Sequence, residues 1–190
     1  METILLEEIA TDVRLPITKE QFLNWSPDNG LLFEFDNGFA EPTTGMRKEE
    51  RYLVRNIQRG FRKTVSFAQD AMLLEESDVW LTNHQKRIPD IAFFTNRQIN
   101  DSATGSDEPV PMFVVEIISP TDKTDKVERK VLEYFQAGVQ IIWHIYPALN
   151  MVRVISSPRL ASSFFDDDAF SAAPVLPDLQ LTVSDLFRVE

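Results

Sequence analysis

"FVVEIISPTD", residues 113–122, reads as a strand buried on both faces, yet it carries one carboxylate, Glu116, among Phe, Val and Ile. Burying an ionised carboxylate alone costs several kcal/mol or drives its pKa upward. Glu116 therefore calls for a counter-charge, either a core-edge Arg or Lys or a metal ion. Downstream, "SPTDKTDKVERKVLEYFQAG" turns through Pro120, starts a helix at about Asp122, runs to Ala137 and stops at Gly138, a residue suited to ending helices. Val127, Val131, Tyr134 and Phe135 form the apolar stripe of that helix. Lys130 lies at the stripe's edge beside Val127 and Tyr134, with Arg129 and Glu133 expected on the outer face. Its aliphatic stem can cover core while the ammonium reaches toward Glu116, or it can snorkel to solvent.

Upstream, "RIPDIAFF" sets Asp90 directly after Pro89 and directly before an apolar strand. Pro-Asp alone is common in turns. Together with Glu116 on a following strand, Asp90 would give two hard oxygen donors of the kind Mg2+ or Mn2+ prefers. Earlier still, residues 47–63, "RKEERYLVRNIQRGFRK", predict a helix with Leu53, Val54, Ile57 and Phe61 on one face and Glu50 near the centre of it. Glu50 is expected to point inward as a third acid; a first-turn acid favoured by the helix dipole is the alternative.

The remaining pattern fills in an α+β chain. Residues 1–17 are a weakly specified acidic lead-in to a single domain covering 1–190. Thr18 and Gln21 have capping-box spacing for a short helix from about Lys19 to Trp25. "LLFEFDNGFAEP" predicts a hairpin turning at Asn37-Gly38. Two or three strands are expected between Val65 and Thr95, a polar loop over 99–111, a second hairpin from "VQIIWHIYP" and "MVRVISS", and a short terminal helix near "VSDLF". The expected architecture is one mixed sheet flanked by two main helices.

Composition bounds the function. With 190 residues, 43% hydrophobic and 26% charged, the chain has the profile of a soluble globular protein. No apolar run is long enough to span a bilayer and the first residues are too acidic for a secretory signal, so a cytoplasmic protein without a membrane partner is expected. Absence of cysteine rules out disulfides and thiolate metal sites. The net charge of −11 opposes long-range attraction to a polyanion, but its distribution is uneven. Between Arg47 and Lys63, seven Lys and Arg stand against Glu49 and Glu50, a local charge of +5 that leaves −16 for the rest. Arg51, Arg55, Arg59 and Arg62 cluster opposite the apolar face of this helix, a stripe able to follow a phosphate backbone or simply a solvated face. Lys123, Lys126 and Arg129, with the 97–111 loop, are the alternative place to hold nucleic acid.

"PD" at 89–90, "VVEIISP" at 114–120, then Lys130 followed by "LEYFQAGVQIIWHIYP", with "FEFDNGFAEPTTG" at 33–45 upstream, together resemble the Uma-type family of restriction endonucleases, a branch of the PD-(D/E)XK nuclease superfamily. The resemblance covers about residues 18–150. It implies a restriction-endonuclease-like (α/β/α-like) fold with a four-stranded mixed sheet between helices, a divalent metal and phosphodiester hydrolysis. Asp90 matches the motif's Asp and Glu116 its acidic residue. Ile118 occupies the position two residues on where many such nucleases keep lysine, and Lys130 would replace it. Glu50 matches a first-helix position that is often His in relatives; Tyr146 stands where they often show Asp. The implied site holds Mg2+ or Mn2+ on Asp90, Glu116, the backbone carbonyl of Ile117 and Glu50, with Lys130 orienting or helping to deprotonate the attacking water. The expected partner is DNA, with a homodimer left open. Two rivals remain: a nuclease-fold binding module without activity, and a metal-independent carboxylate-pair hydrolase. His84 and His144 are given no role, and "TGSDEP" lacks phosphate-loop spacing.

Overall fold

The computed structural model describes residues 14–27, 30–43, 45–105 and 108–190. Most of the lead-in and Ser106–Asp107 of the 97–111 loop lie outside them. In chain order the elements are β1 (Leu15–Pro16), α1 (Lys19–Leu23), β2 (Leu32–Asp36), β3 (Phe39–Thr43), a 3-10 turn (Lys48–Glu50), α2 (Arg51–Phe61), α3 (Val65–Ala68), β4 (Met72–Glu75), β5 (Val79–Thr82), β6 (Gln85–Arg87) and β7 (Ile91–Phe94). They continue with α4 (Asn96–Ala103), β8 (Phe113–Ile117), α5 (Thr124–Ala137), β9 (Ile141–Tyr146), a 3-10 turn (Pro147–Leu149), β10 (Met151–Ser157), β11 (Leu160–Phe165), β12 (Ala169–Ala172), β13 (Leu176–Thr182) and α6 (Val183–Leu186).

The strand carrying Glu116 is β8, and it lies inside a six-stranded sheet of order β11-β10-β9-β8-β7-β4. β8 and β9 pair in parallel; the other neighbours are antiparallel. A parallel pair needs a long crossover, and α5 supplies it, ending at Gly138 with φ 110°. Strand alternation then sorts the side chains. Phe113 and Val115 pack with Leu53, Val54, Ile57 and Phe61 of α2, while Val114 packs with Val131 and Tyr134 of α5. Glu116, two residues after Val114, faces α5 as well.

Among the described residues there are three sheets rather than one. A five-stranded antiparallel sheet, β1-β3-β2-β6-β5, stands beside the main sheet, and β12 pairs with β13 near the C-terminus. The β2–β3 turn is the expected one, with Asn37 at φ 47° and Gly38 at φ 87°, and Thr18 with Gln21 closes the expected capping box. Because the five-stranded sheet meets α5 from a second side, Glu133 is not on an outer face: it is 8% exposed and holds Arg87. The polar stretch expected as a loop begins as α4, whose Thr95–Gln98 capping box outweighs its poor helix formers. Leu15–Pro16, inside the expected lead-in, pairs with Ala40 and Phe39 of β3. The strands β11 to β13 had no sequence counterpart: β11 is almost wholly exposed and shows no apolar alternation. Among the described residues, no helix is long and apolar enough to cross a membrane.

Candidate active site

Asp90 sits one step beyond the Ile91–Val115 pair of β7 and β8, so the antiparallel register sets it beside Glu116. Its Oδ2 accepts the Ile117 N–H at 2.6 Å. Glu116, 8% exposed, accepts the Tyr134 hydroxyl at 2.6 Å on Oε1, and the Lys130 Nζ lies 3.8 Å from the same oxygen. Burial raises the pKa of Asp90 well above the carboxylate range, and the neighbouring Glu116 charge raises it further against the opposing Ile117 N–H and Lys130. Burial likewise raises that of Glu116, and Lys130 and Tyr134 only partly offset it. The two acids meet in a cleft of about 320 Å3.

Lys130 has a stronger partner than the one expected. Its Nζ donates to Glu34 Oε1 at 2.7 Å. Glu34, only 3% exposed, also accepts the Ile88 N–H at 3.1 Å and has Arg87 Nη1 3.7 Å from Oε2. Arg87, 4% exposed, donates from Nε to Glu133 at 2.8 Å and stands 3.6 Å from Asp36. Burial disfavours the Lys130 charge, but Glu116 and Glu34 outweigh it and hold the ammonium above the usual lysine pKa. Burial also opposes the Glu34 charge, and Lys130 with Arg87 overcomes that, so its pKa is lowered. Lys130 is thus protonated at neutral pH. That environment suits a group that orients water and does not suit a proton acceptor.

The other expected residues divide. Glu50 lies at the rim of the cleft, where its Oε2 accepts the Arg47 N–H at 3.2 Å, and it also stands at the N-cap of α2, so both roles read for it fit its position. Ile117 lines the cleft, as do Lys123, at the N-cap of α5, and Lys126, on its first turn, although Lys126 is paired with Glu41 at 3.1 Å. Arg51, Arg55 and Arg59 line a neighbouring groove instead. Sequence reading missed Glu34, Arg87 and His144. Glu34 showed the same signal as Glu116, a carboxylate between apolar residues in a strand. His144 is the register partner of Glu116 on β9, lines the cleft and is buried. Burial first, then the Arg153 and Lys130 charges, pull its pKa down to about 4, so it is neutral there.

Among the described residues no group of three or more His, Asp or Glu forms a metal cage. Two carboxylates on an open cleft are nevertheless a donor set of the kind Mg2+ uses, since that ion keeps several waters and takes one or two protein carboxylates alongside substrate phosphates. The donor chemistry therefore fits a hard divalent cation.

A family model described as Uma2, "putative restriction endonuclease", matches residues 19–184. The chain belongs to the Uma2 family. A solved structure, "a putative nuclease belonging to DUF820" from Anabaena variabilis, superposes with a TM-score of 0.76 at 23% identity, covering 90% of this chain and 98% of that one. Comparison with curated proteins gave no match. The nuclease-type fold expected for this Uma2 chain is thus observed, with a mixed sheet of six strands where four were expected.

Proposed function

We propose that the protein is a metal-dependent endonuclease that hydrolyses phosphodiester bonds of DNA. The observation that carries this reading is the Asp90–Glu116 pair. Burial raises the pKa of both acids in an open cleft, the Glu116 charge raises that of Asp90 further, and the Lys130 ammonium beside Glu116 is already shared with Glu34. A divalent cation, Mg2+ or Mn2+, would supply the counter-charge, and Asp90 and Glu116 would hold it, with the Ile117 carbonyl and Glu50 as further donors. When bound, such an ion polarises the phosphate and acidifies a water. The protein's own groups do the rest. The Ile117 N–H and the Tyr134 hydroxyl fix the two carboxylates, and Lys130, kept charged by Glu34, orients the attacking water and stabilises negative charge building on the phosphate.

The test is incubation of the purified protein with supercoiled and with single-stranded DNA in Mg2+, Mn2+ or EDTA. Cleavage should require metal, and Asp90→Asn and Glu116→Gln should each abolish it without loss of fold. Wild-type rates in either variant would overturn the assignment, and equal rates in EDTA would turn it toward the metal-independent carboxylate-pair hydrolase.

A further inference from the structure

Along α2 runs a second concavity of about 560 Å3, and Met46 lines both it and the cleft. Arg51, Arg55, Arg59 and Arg62 form one wall; Glu75 and Glu76 stand on the other. Steps of four, four and three residues keep the arginines on one stripe of the helix. They are not equivalent. Arg55 donates from Nη2 to the carbonyls of Arg188 at 3.2 Å and Val189 at 2.9 Å, so it fastens the C-terminal segment. Arg51, Arg59 and Arg62 are exposed, and none of them has a side-chain hydrogen bond or ion pair with any other described residue. Opposite them, Glu76 is turned to the Met46 N–H at 2.7 Å, and Glu75 is exposed.

Three unengaged guanidinium groups in line are notable on a chain of charge −11, most of whose surface repels a polyanion. They do not stitch the fold together, and a guanidinium's planar fork matches phosphate. The row also connects to the proposed site. Arg47, the preceding arginine, lines the cleft itself and donates to Ser119 Oγ at 2.6 Å across its mouth. From Arg51 to Arg62 the helix rises ~16 Å, close to the axial length of about five nucleotides in one strand of a duplex.

We infer that this groove carries the sugar–phosphate backbone of the nucleic acid beyond the cleft, with Arg51, Arg59 and Arg62 as its phosphate contacts. The inference rests on the nuclease reading and extends it: the substrate is a polynucleotide that reaches several phosphates past the scissile bond, and a dinucleotide is bound without this help.

Binding of labelled duplex and single-stranded DNA in EDTA, followed by fluorescence anisotropy over a salt series, tests the groove apart from catalysis. Replacing Arg51, Arg59 and Arg62 together by Gln should reduce the slope of log affinity against log salt by up to about 2.7 on duplex, or about 2.1 on single strands. The matching arm identifies the form of nucleic acid the groove carries. Glu75→Gln, which removes repulsion from the opposite wall, should tighten binding. An unaltered salt slope in the triple variant, or no measurable DNA binding by the wild type, overturns the inference. Cleavage assays on the same DNA separate the two readings. A reduced slope without cleavage in any metal keeps the groove and removes the nuclease reading; normal cleavage with an unaltered slope does the reverse.

Discussion

Glu116 is tolerated in an apolar strand because its oxygen is met by the Tyr134 hydroxyl and approached by Lys130, yet these partners leave the Asp90–Glu116 pair electrostatically unfavourable. A residue held in that state for function should stabilise the metal-free protein when it is neutralised. Asp90→Asn, whose amide oxygen can still accept the Ile117 N–H, is expected to raise the melting temperature in EDTA at neutral pH and to abolish the stabilisation produced by added Mg2+. A lower melting temperature in EDTA would show that the pair contributes to the fold. Lys130 and Glu34 behave as a conventional buried pair. Lys130→Gln leaves a buried Glu34 facing Glu116 and should cost about 3 to 5 kcal/mol, whereas Glu34→Gln with Lys130→Gln should cost much less than the sum of the single changes. Urea titration of the four proteins gives the coupling directly. Glu116 was legible in the sequence because it is anomalous against its own neighbours, Lys130 because it sits at the edge of an apolar stripe, and Asp90 only through its pairing with Glu116. Arg87 and His144 were not: what makes them matter is a partner on another strand, and one chain's sequence does not state the register.

At the scale of elements, α2 serves two surfaces. Its arginine stripe faces solvent, while Asn56, buried on another side, donates from one amide nitrogen toward the carbonyls of Asp185, Leu186 and Arg188 at 3.3, 2.9 and 2.7 Å. That amide serves orphan carbonyls at the end of α6, a helix of four residues with little hold of its own. Asn56→Leu should lower stability by about 1 to 3 kcal/mol in urea titration, since those carbonyls would lose their donor. Arg55→Gln, at a more exposed contact with the same segment, should cost less. The periodicity of α2 showed its apolar face but not this attachment. The C-terminal strands that complete the core through Phe170, Leu176 and Leu179 are short and irregular in pattern, so the second partner of α2 could not be read in advance. The same cause misplaced Glu133: a helix wedged between two sheets has two buried sides, and a single-stripe reading assigns it one.

For the whole molecule, two opposite proton linkages shape stability against pH. His144 titrates at about 4 in the folded protein, below its ordinary value near 6.5. The unfolded chain therefore takes up the proton first, and stability is lost as pH falls from about 6.5 through about 4, by on the order of a few kcal/mol. Asp90 and Glu116 are shifted the other way, so their contribution is fully present below the ordinary carboxylate range and is lost as pH rises through their raised values. Between about pH 4 and 6.5 the two linkages oppose each other, and above about 6.5 only that of the acids remains, so in EDTA urea midpoints should fall from about pH 6.5 toward about 8. Asp90→Asn, or Mg2+ with the wild type, should flatten that fall, and His144→Gln should raise the midpoints at about pH 4 relative to those at about pH 7. Midpoints in His144→Gln that keep the wild-type ratio between about pH 4 and about pH 7 would show that His144 has no linkage to folding.

The contact between Glu34 and Lys130 joins residues 96 positions apart, and it also joins the two larger sheets through α5. Closing so long a loop is slow compared with forming a hairpin. During synthesis or refolding, β2 and β3 can pair while Lys130 is still distant, so Glu34 waits without its ammonium and the cleft has neither its shape nor its charge balance. On the proposed nuclease reading, catalytic competence would therefore be among the last properties the chain acquires, and a partly made chain would spare the nucleic acid around it.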